Sequence, residues 1–381
     1  MVIEPRFHDR IASIAAADWD ALRPDDNPFV AHAFLHALER DGCLRDAWGW
    51  RPYHLGLYER GKLIAAAPLY LKGNSHGEFV FDWSWADAWQ RAGGDYYPKL
   101  LCGVPYSPVG GPRLLAGRGA HAALLQRALA QAMREEAERL GLSSVHVNFL
   151  IDTELDAFDD DWLARGDIQY HWHNRGWHDF EDFLAALSHK KRKNIRHERM
   201  QVARAGLDIG MHTATALGLD DWRQLHALYL RTFEDKGNHA ALTASFFSHL
   251  REFGDGVQVA LARRNGEIIA MALFLQSRDT LYGRYWGARE ELPGLHFELC
   301  YYRGIEHAIR HGLRIFEPGA QGQHKIARGF LPTRTHSRHY LVHEGFRHAV
   351  ARALTEEAAL VDDHFEALMA HSPYARTGMP T

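Results

Sequence analysis

Gly61-Lys-Leu-Ile-Ala-Ala-Ala-Pro-Leu-Tyr70 and Gly266-Glu-Ile-Ile-Ala-Met-Ala-Leu-Phe-Leu275 line up residue for residue, and their reading decides the fold. Each follows a short apolar run (Tyr53 to Tyr58; Val257 to Ala262) and a charged turn (Glu59-Arg60-Gly61; Arg263-Arg264-Asn265-Gly266). Two apolar runs joined by a polar turn with glycine predict a β-hairpin, and here the hairpin occurs twice. Working outward, each copy is followed by an apolar stripe at helical spacing. In the first it is Leu124, Leu125, Ala128, Leu129, Ala132 and Met133; in the second Cys300, Tyr301, Gly304, Ile305, Ala308 and Ile309. Gly141 and Gly312 stop the two helices, and each is followed by Leu and a β-rich run, Val145 to Leu150 or Ile315 to Glu317. The order strand, turn, strand, insertion, helix, strand is thus repeated, and a duplicated unit fixes domain count better than length does.

The expected organisation is a first unit over residues 1–165, a connecting segment over 166–210, a second unit over 211–345, and a C-terminal helix and tail over 346–381. The first unit carries a long insertion, 72–119, rich in Trp, Tyr, Gly and Pro, including Tyr97, Pro98, Lys99, Pro108 and Gly110. Loops of that length in a compact domain are usually functional or disordered, and so many aromatics argue for the former. The connecting segment holds Lys190, Lys191, Arg192, Lys193, Arg196, Arg199 and Arg204 against the lone acid Glu198, a helix-length cationic stretch ended by Gly206 and suited to phosphates.

Composition narrows the function classes. The chain has 381 residues with 44 Lys plus Arg against 48 Asp plus Glu, and its net charge of −4 proposes no DNA partner. Three separated cysteines, Cys43, Cys102 and Cys300, build neither a disulfide framework nor a thiolate zinc site, which fits a reducing, cytoplasmic setting. The longest apolar stretches, Leu63 to Leu71 and Ile268 to Leu275, fall short of a membrane span of roughly 20 residues. Histidine is abundant, 26 in all, but His171 with His173 and His32 with His36 lack a third ligand at a convincing spacing, so no metal is expected.

Together with the tandem pattern, four stretches resemble the Fem-type (FemAB-like) branch of the GNAT acyltransferase superfamily, in particular predicted N-acyltransferases of peptidoglycan biosynthesis or recognition. They are YYPKLLCGVPYSPVGGPRLL (Tyr96 to Leu115), HWHNRGWHDFEDFLAAL (His171 to Leu187), LHFELCYYRGIEHAI (Leu295 to Ile309) and FEPGAQGQHKIARGF (Phe316 to Phe330). The resemblance implies an α/β fold of two tandem GNAT-like units, each a mixed sheet flanked by helices. It also implies transfer of an acyl or aminoacyl group to an amine without a covalent enzyme intermediate, acyl-CoA or aminoacyl-tRNA being the co-substrate and no cofactor tightly held. One departure concerns the CoA loop. Gly117-Arg118-Gly119 stands before the first helix with Leu114 where such enzymes place Gln or Arg, and Pro293-Gly294-Leu295-His296-Phe297-Glu298 has no glycine pair.

An attacking amine must lose a proton and the resulting oxyanion must meet donors. The run Glu317 to Phe330 offers both: Glu317 and His324 as bases, Lys325 and Arg328 as cations, and glycines 319 and 322 for close backbone approach. In Fem-type enzymes a Lys shortly before a Phe is implicated in catalysis; Arg328 matches it through Phe330, and Lys325 lies one turn earlier, so both stand. Glu298 is a further catalytic candidate, while Tyr97, Lys99, Pro108, Gln321, His296, Trp286 and His336 are expected to bind substrate. Lys190, Lys191, Arg192, Lys193 and Arg196 are expected to grip a carrier phosphate or tRNA. The reading is an N-acyltransferase acting on a small-molecule or peptide-like amine. Its rivals are an aminoacyl-tRNA-dependent transferase and a peptide-recognition module without turnover, and oligomeric state is left open.

Overall fold

The computed structural model describes residues 3–234, 237–320 and 322–375. Its strands in chain order are β1 (Glu4–His8), β2 (Trp50–Pro52), β3 (His54–Glu59), β4 (Lys62–Ala67), β5 (Leu69–Lys72), β6 (Lys99–Cys102), β7 (Ser144–Leu150), β8 (Leu163–His173), β9 (Asp208–Thr213), β10 (Val257–Arg264), β11 (Glu267–Gln276), β12 (Thr280–Ala288), β13 (Ile315–Glu317) and β14 (Leu331–Leu341). Two compact units form: Met1–Ile168 with Arg334–His364, and Gln169–Thr333 with Phe365–Thr381, as far as their residues are described.

Both hairpins form as the repeat predicts, and they match in hydrogen-bond register. In the first, Leu57 faces Ala65, Tyr58 faces Leu63 and Glu59 faces Lys62, with a bulge between Leu57 and Tyr58. In the second, Ala262 faces Ala270, Arg263 faces Ile268 and Arg264 faces Glu267, with the bulge at the aligned place. The turns match too: Arg60 and Gly61 have φ of 50° and 79°, Asn265 and Gly266 of 52° and 87°. Positive φ at both central residues gives the twist that suits a two-residue hairpin.

Downstream of the turns the copies part at one aligned position. Pro68 lacks a backbone N–H and ends β4. The chain therefore leaves the three-stranded sheet β1-β3-β4 and continues as β5 in the order β2-β5-β6-β7-β14. In the second unit Leu273 takes the aligned place and β11 runs on unbroken, but its pairing with β12 slips by a bulge between Leu273 and Phe274. The second unit's order is β13-β12-β11-β10-β9, and the end of β8 pairs with β13.

Helix 122–139 ends before Gly141 (φ 66°), and helix 303–310 before Gly312 (φ 67°). Each end is locked by the same reach-back bond, Leu142 N to Ala137 O at 2.9 Å and Leu313 N to Ala308 O at 2.8 Å. The following strands run parallel to their neighbours, β7 to β6 and β13 to β12.

The structure corrects three sequence expectations. The insertion is not one loop, because Lys99–Cys102, buried throughout, is strand β6 between β5 and β7. The second helix is not regular: after a turn at Leu295–Phe297, residues Glu298–Tyr302 form a turn of π-helix. The second unit does not extend to residue 345, since β14 from Arg334 onward belongs to the first unit, where His336 to Leu341 pair with β7.

The first unit's core is the cluster around Leu55, Leu69, Leu129, Met133, Val145 and Val147, all buried. Beside it, Lys72, Lys99, His146 and His339 stand on four adjacent strands, with Lys72 opposite Lys99 and His146 opposite His339. The segment after β5 covers them. Lys99 Nζ bonds Glu78 at 2.9 Å, Asp82 at 2.5 Å and Ser75 at 3.0 Å, while Ser75 and Tyr96 also bond Asp82. Burial alone would raise the Asp82 carboxyl; the Lys99 ammonium and these bonds hold it well below its ordinary range. Burial pushes His146 down to about 3 and His339 well below its ordinary value, so both are neutral and face each other Nδ1 to Nδ1 at 2.6 Å.

Candidate active site

A cleft of about 260 Å³ opens in the second unit at the β11 bulge. Ala272, Leu273 and Phe274 line it from β11, and Gly283 to Trp286 from β12. His296, Cys300 and Tyr301 come from the irregular helix start, and Pro318 to Ala320, His324 and Lys325 from the loop after β13. Gly283 lets that loop approach, since a Cβ there would lie 3.2 Å from Pro318 Cα.

The π-turn brings Tyr301 to His324, Oη to Nε2 at 2.9 Å. Turns of this kind recur at functional sites because the extra residue re-aims side chains. Burial raises the Tyr301 hydroxyl above its ordinary value, so it stays protonated and donates to Nε2 of a neutral His324. Burial, followed by the charges of Arg328 and Lys325, lowers His324 below the usual imidazole value. Gly322 frames the ring: its φ is 120°, and a Cβ there would stand 2.5 Å from His324 Cε1. Next in sequence, Lys325 is 2 % exposed and donates to Gly319 O at 2.6 Å. Burial brings its ammonium down to about 8.

Of the catalytic candidates, His324 and Lys325 meet in this cleft, and Glu317, Glu298 and Arg328 are not among its lining. Arg328 is held by Glu198 at 2.7 Å, donates to His324 O at 2.9 Å and lies 3.3 Å over the Phe297 ring, so it braces the loop. Glu298 accepts from Arg199 at 3.0 and 3.1 Å and pairs with Arg303 at 2.8 Å, a clamp on the π-turn. Glu317 sits in β13 opposite Tyr282. His296 and Trp286 line the cleft with ring centroids 5.1 Å apart. Gln321 lies outside the described residues.

The remaining binding candidates belong to the first unit. Lys99 is sealed in the ionic network, Pro108 is buried, and Tyr97 is half-buried with its hydroxyl 2.7 Å from Ser75 Oγ. His336 is half-buried in β14, 3.5 Å from Asp152. These positions were read from aromatic and polar content; the pairing of β6 and β14 turns Lys99 inward and assigns His336 to the other unit. On helix 189–204, Lys190 and Lys193 are exposed, Lys191 and Arg192 half-buried, and Arg196 pairs with Glu181 at 2.5 Å. From the sequence, Tyr301 reads either as a proton donor to a leaving group or as part of the helix stripe, and Cys300 as stripe alone, because a π-turn leaves no mark in periodicity.

The FemAB-like family, described as peptidoglycan biosynthesis/recognition, matches residues 10–376. The chain belongs to it. Among solved structures, this FemAB-like chain is similar to FemX (TM-score 0.52, 11% identity, 91% of this chain and 100% of the other covered). It is also similar to the C-terminal domain of a putative lysylphosphatidylglycerol synthetase from Agrobacterium fabrum (TM-score 0.51, 14% identity, 91% and 95% covered). A tandem GNAT protein from the clavulanic acid biosynthesis pathway matches with a TM-score of 0.46, 13% identity, and 89% and 98% covered. Identities this low show the fold alone, here two units of mixed sheet and helix. No curated protein matches the sequence. In this FemAB-like chain no described helix is long and apolar enough to cross a membrane, and no three His, Cys, Asp or Glu among the described residues are grouped to hold a metal.

Proposed function

We propose that the protein is an N-acyltransferase whose second-unit cleft joins an acyl donor to the amine of a small-molecule or peptide-like acceptor. The supporting observation is the Tyr301–His324 hydrogen bond beside the buried Lys325 in one cleft. The amine attacks the acyl carbonyl carbon directly. As the C–N bond forms, its proton passes to Tyr301 Oη while the Tyr301 proton moves to His324 Nε2, giving an imidazolium. The Lys325 ammonium meets the oxyanion. Collapse expels the donor's thiolate or alkoxide, which regains a proton from the same relay, and an amide remains. The donor is acyl-CoA or aminoacyl-tRNA, and the exposed Lys190 and Lys193 offer charge to its phosphates.

The test is mass analysis of a panel of amines with several acyl-CoA donors, using His324→Ala as comparison. Wild type should yield acylated amine, and the variant should be slower by at least about tenfold, toward the roughly 100-fold typical of losing a positioned proton carrier. Ligand binding without mass gain would overturn catalysis in favour of recognition alone, and an unchanged rate in the variant would displace the site.

A further inference from the structure

Tyr301 and His324 stand on separate segments, the π-turn and the loop after β13, and helix 189–204 reaches both through one side chain. Glu198 Oε1 accepts from Arg328 Nη2 at 2.7 Å, and its Oε2 accepts from Tyr302 Oη. Burial raises the Tyr302 hydroxyl above its ordinary value, so it keeps the proton it donates. Each donor is one step from the relay. Tyr302 follows Tyr301 in the π-turn, and Arg328 Nη1 donates to His324 O at 2.9 Å. The neighbouring Arg199 seats the helix on the same turn, bonding Glu298 at 3.0 and 3.1 Å and Glu306 at 2.7 Å. Gly294, where a Cβ would stand 3.1 Å from Glu198 O, lets the helix come that close.

We infer that Glu198, which does not line the cleft, is a positioning residue for acyl transfer, its one carboxylate aligning Tyr301 with His324 by gripping the element behind each. The inference rests on the acyl-transfer reading of the cleft. A hydrogen bond between side chains on separate segments weakens steeply with distance and angle, so both segments must be fixed for it to form. Glu198 fixes them to one body, and the π-turn cannot rotate without pulling the loop. Without that carboxylate the Arg328 guanidinium, 9 % exposed, loses its counter-charge, and its pull toward water acts on His324 through their backbone bond. A displacement of about 1 Å at such a contact can cost on the order of 100-fold in rate.

The experiment compares wild type with Glu198→Gln, which keeps the length and removes the charge, and with Tyr302→Phe, which cuts the tie to the π-turn and leaves the ion pair. Acylation of the amine panel gives kcat and the acceptor KM. Nitrogen-15 NMR of labelled histidine at about pH 8, where an ordinary imidazole is neutral, gives the ring tautomer, with His324→Asn to assign the signal. Tyr301 donating to Nε2 places the ring proton on Nδ1 in wild type. In folded Glu198→Gln, kcat should fall by about tenfold or more while KM stays within about threefold, and in Tyr302→Phe the fall should be smaller. In both, the Nδ1–H signature should give way to a mixture of tautomers. Should Glu198→Gln not fold, Tyr302→Phe carries the test on the same readings. Folded variants with kcat within about twofold of wild type, or with the wild-type tautomer kept, overturn the inference and leave the acyl-transfer reading standing. A wild type that forms no product overturns that reading and the inference with it.

Discussion

At Lys325 the cost of burial and the use of the charge pull in opposite directions. A lysine with its amine drawn down to about 8 carries its proton at neutral pH and releases it within the accessible range. His324 works in the opposite sense, since its lowered value leaves the ring neutral and able to accept a proton at neutral pH. In the proposed mechanism the rate therefore rises with pH as His324 loses its proton, below the ordinary imidazole value of 6.5, and falls again near 8 as Lys325 loses its own. Lys325→Arg should move the upper limb out of the range of the assay while the lower limb stays. A pH–rate profile of kcat/KM in both proteins checks this, and an upper limb unmoved in the variant would remove Lys325 from the oxyanion's side. At this scale the sequence named His324, Lys325, His296 and Trp286 from residue chemistry. It did not separate them from Glu298 and Arg328, whose partners Arg199 and Glu198 lie on segments far apart in the chain.

The elements that hold the cleft were legible where the signal is local and hidden where it is not. Hairpin turns and helix stops follow from Gly61, Gly266, Gly141 and Gly312, whose positive φ is a property of the residue itself. The π-turn at Glu298–Tyr302 depends on packing, and the apolar stripe through Cys300 and Tyr301 reads as ordinary helix. Strand β6 was masked by its surroundings, for four buried residues between a cis-proline segment and a glycine-rich run show little periodicity. Gly287 carries the load between β12 and helix 219–234: a Cβ there would stand 2.3 Å from Leu228 O, a backbone atom that cannot swing away. Gly287→Ala should cost roughly 1–3 kcal/mol of stability through overpacking. Chemical denaturation monitored by circular dichroism measures it, and an unchanged midpoint would show that the helix moves freely off the strand.

For the molecule as a whole, the repeat announced two units, but their borders required knowledge of strand partners. The chain passes between units within β8, within β14 and in helix 344–369, and no composition change marks those places. Nor did the sequence show that the first unit closes over an ionic network where an acceptor site was expected. That network makes the first unit sensitive to single carboxylates. Asp82→Asn leaves the buried Lys99 with Glu78 as its sole bonded carboxylate, and removing one partner of a buried pair costs about 3–5 kcal/mol. A drop in thermal midpoint with the second unit's cleft chemistry retained below it is the expected result, and a loss under about 1 kcal/mol would mean that Glu78 alone suffices for Lys99.

The matched registers of the two turns make them interchangeable parts. Glu59-Arg60-Gly61-Lys62 and Arg264-Asn265-Gly266-Glu267 pair opposite charges across the same geometry, with the polarity reversed. Transplanting the second tetrapeptide into the place of the first should shift stability by no more than about 0.5 kcal/mol, as expected of compatible surface changes, with two-state melts as the gauge. A larger loss would mean that ancestry has left the two hairpins alike in outline only.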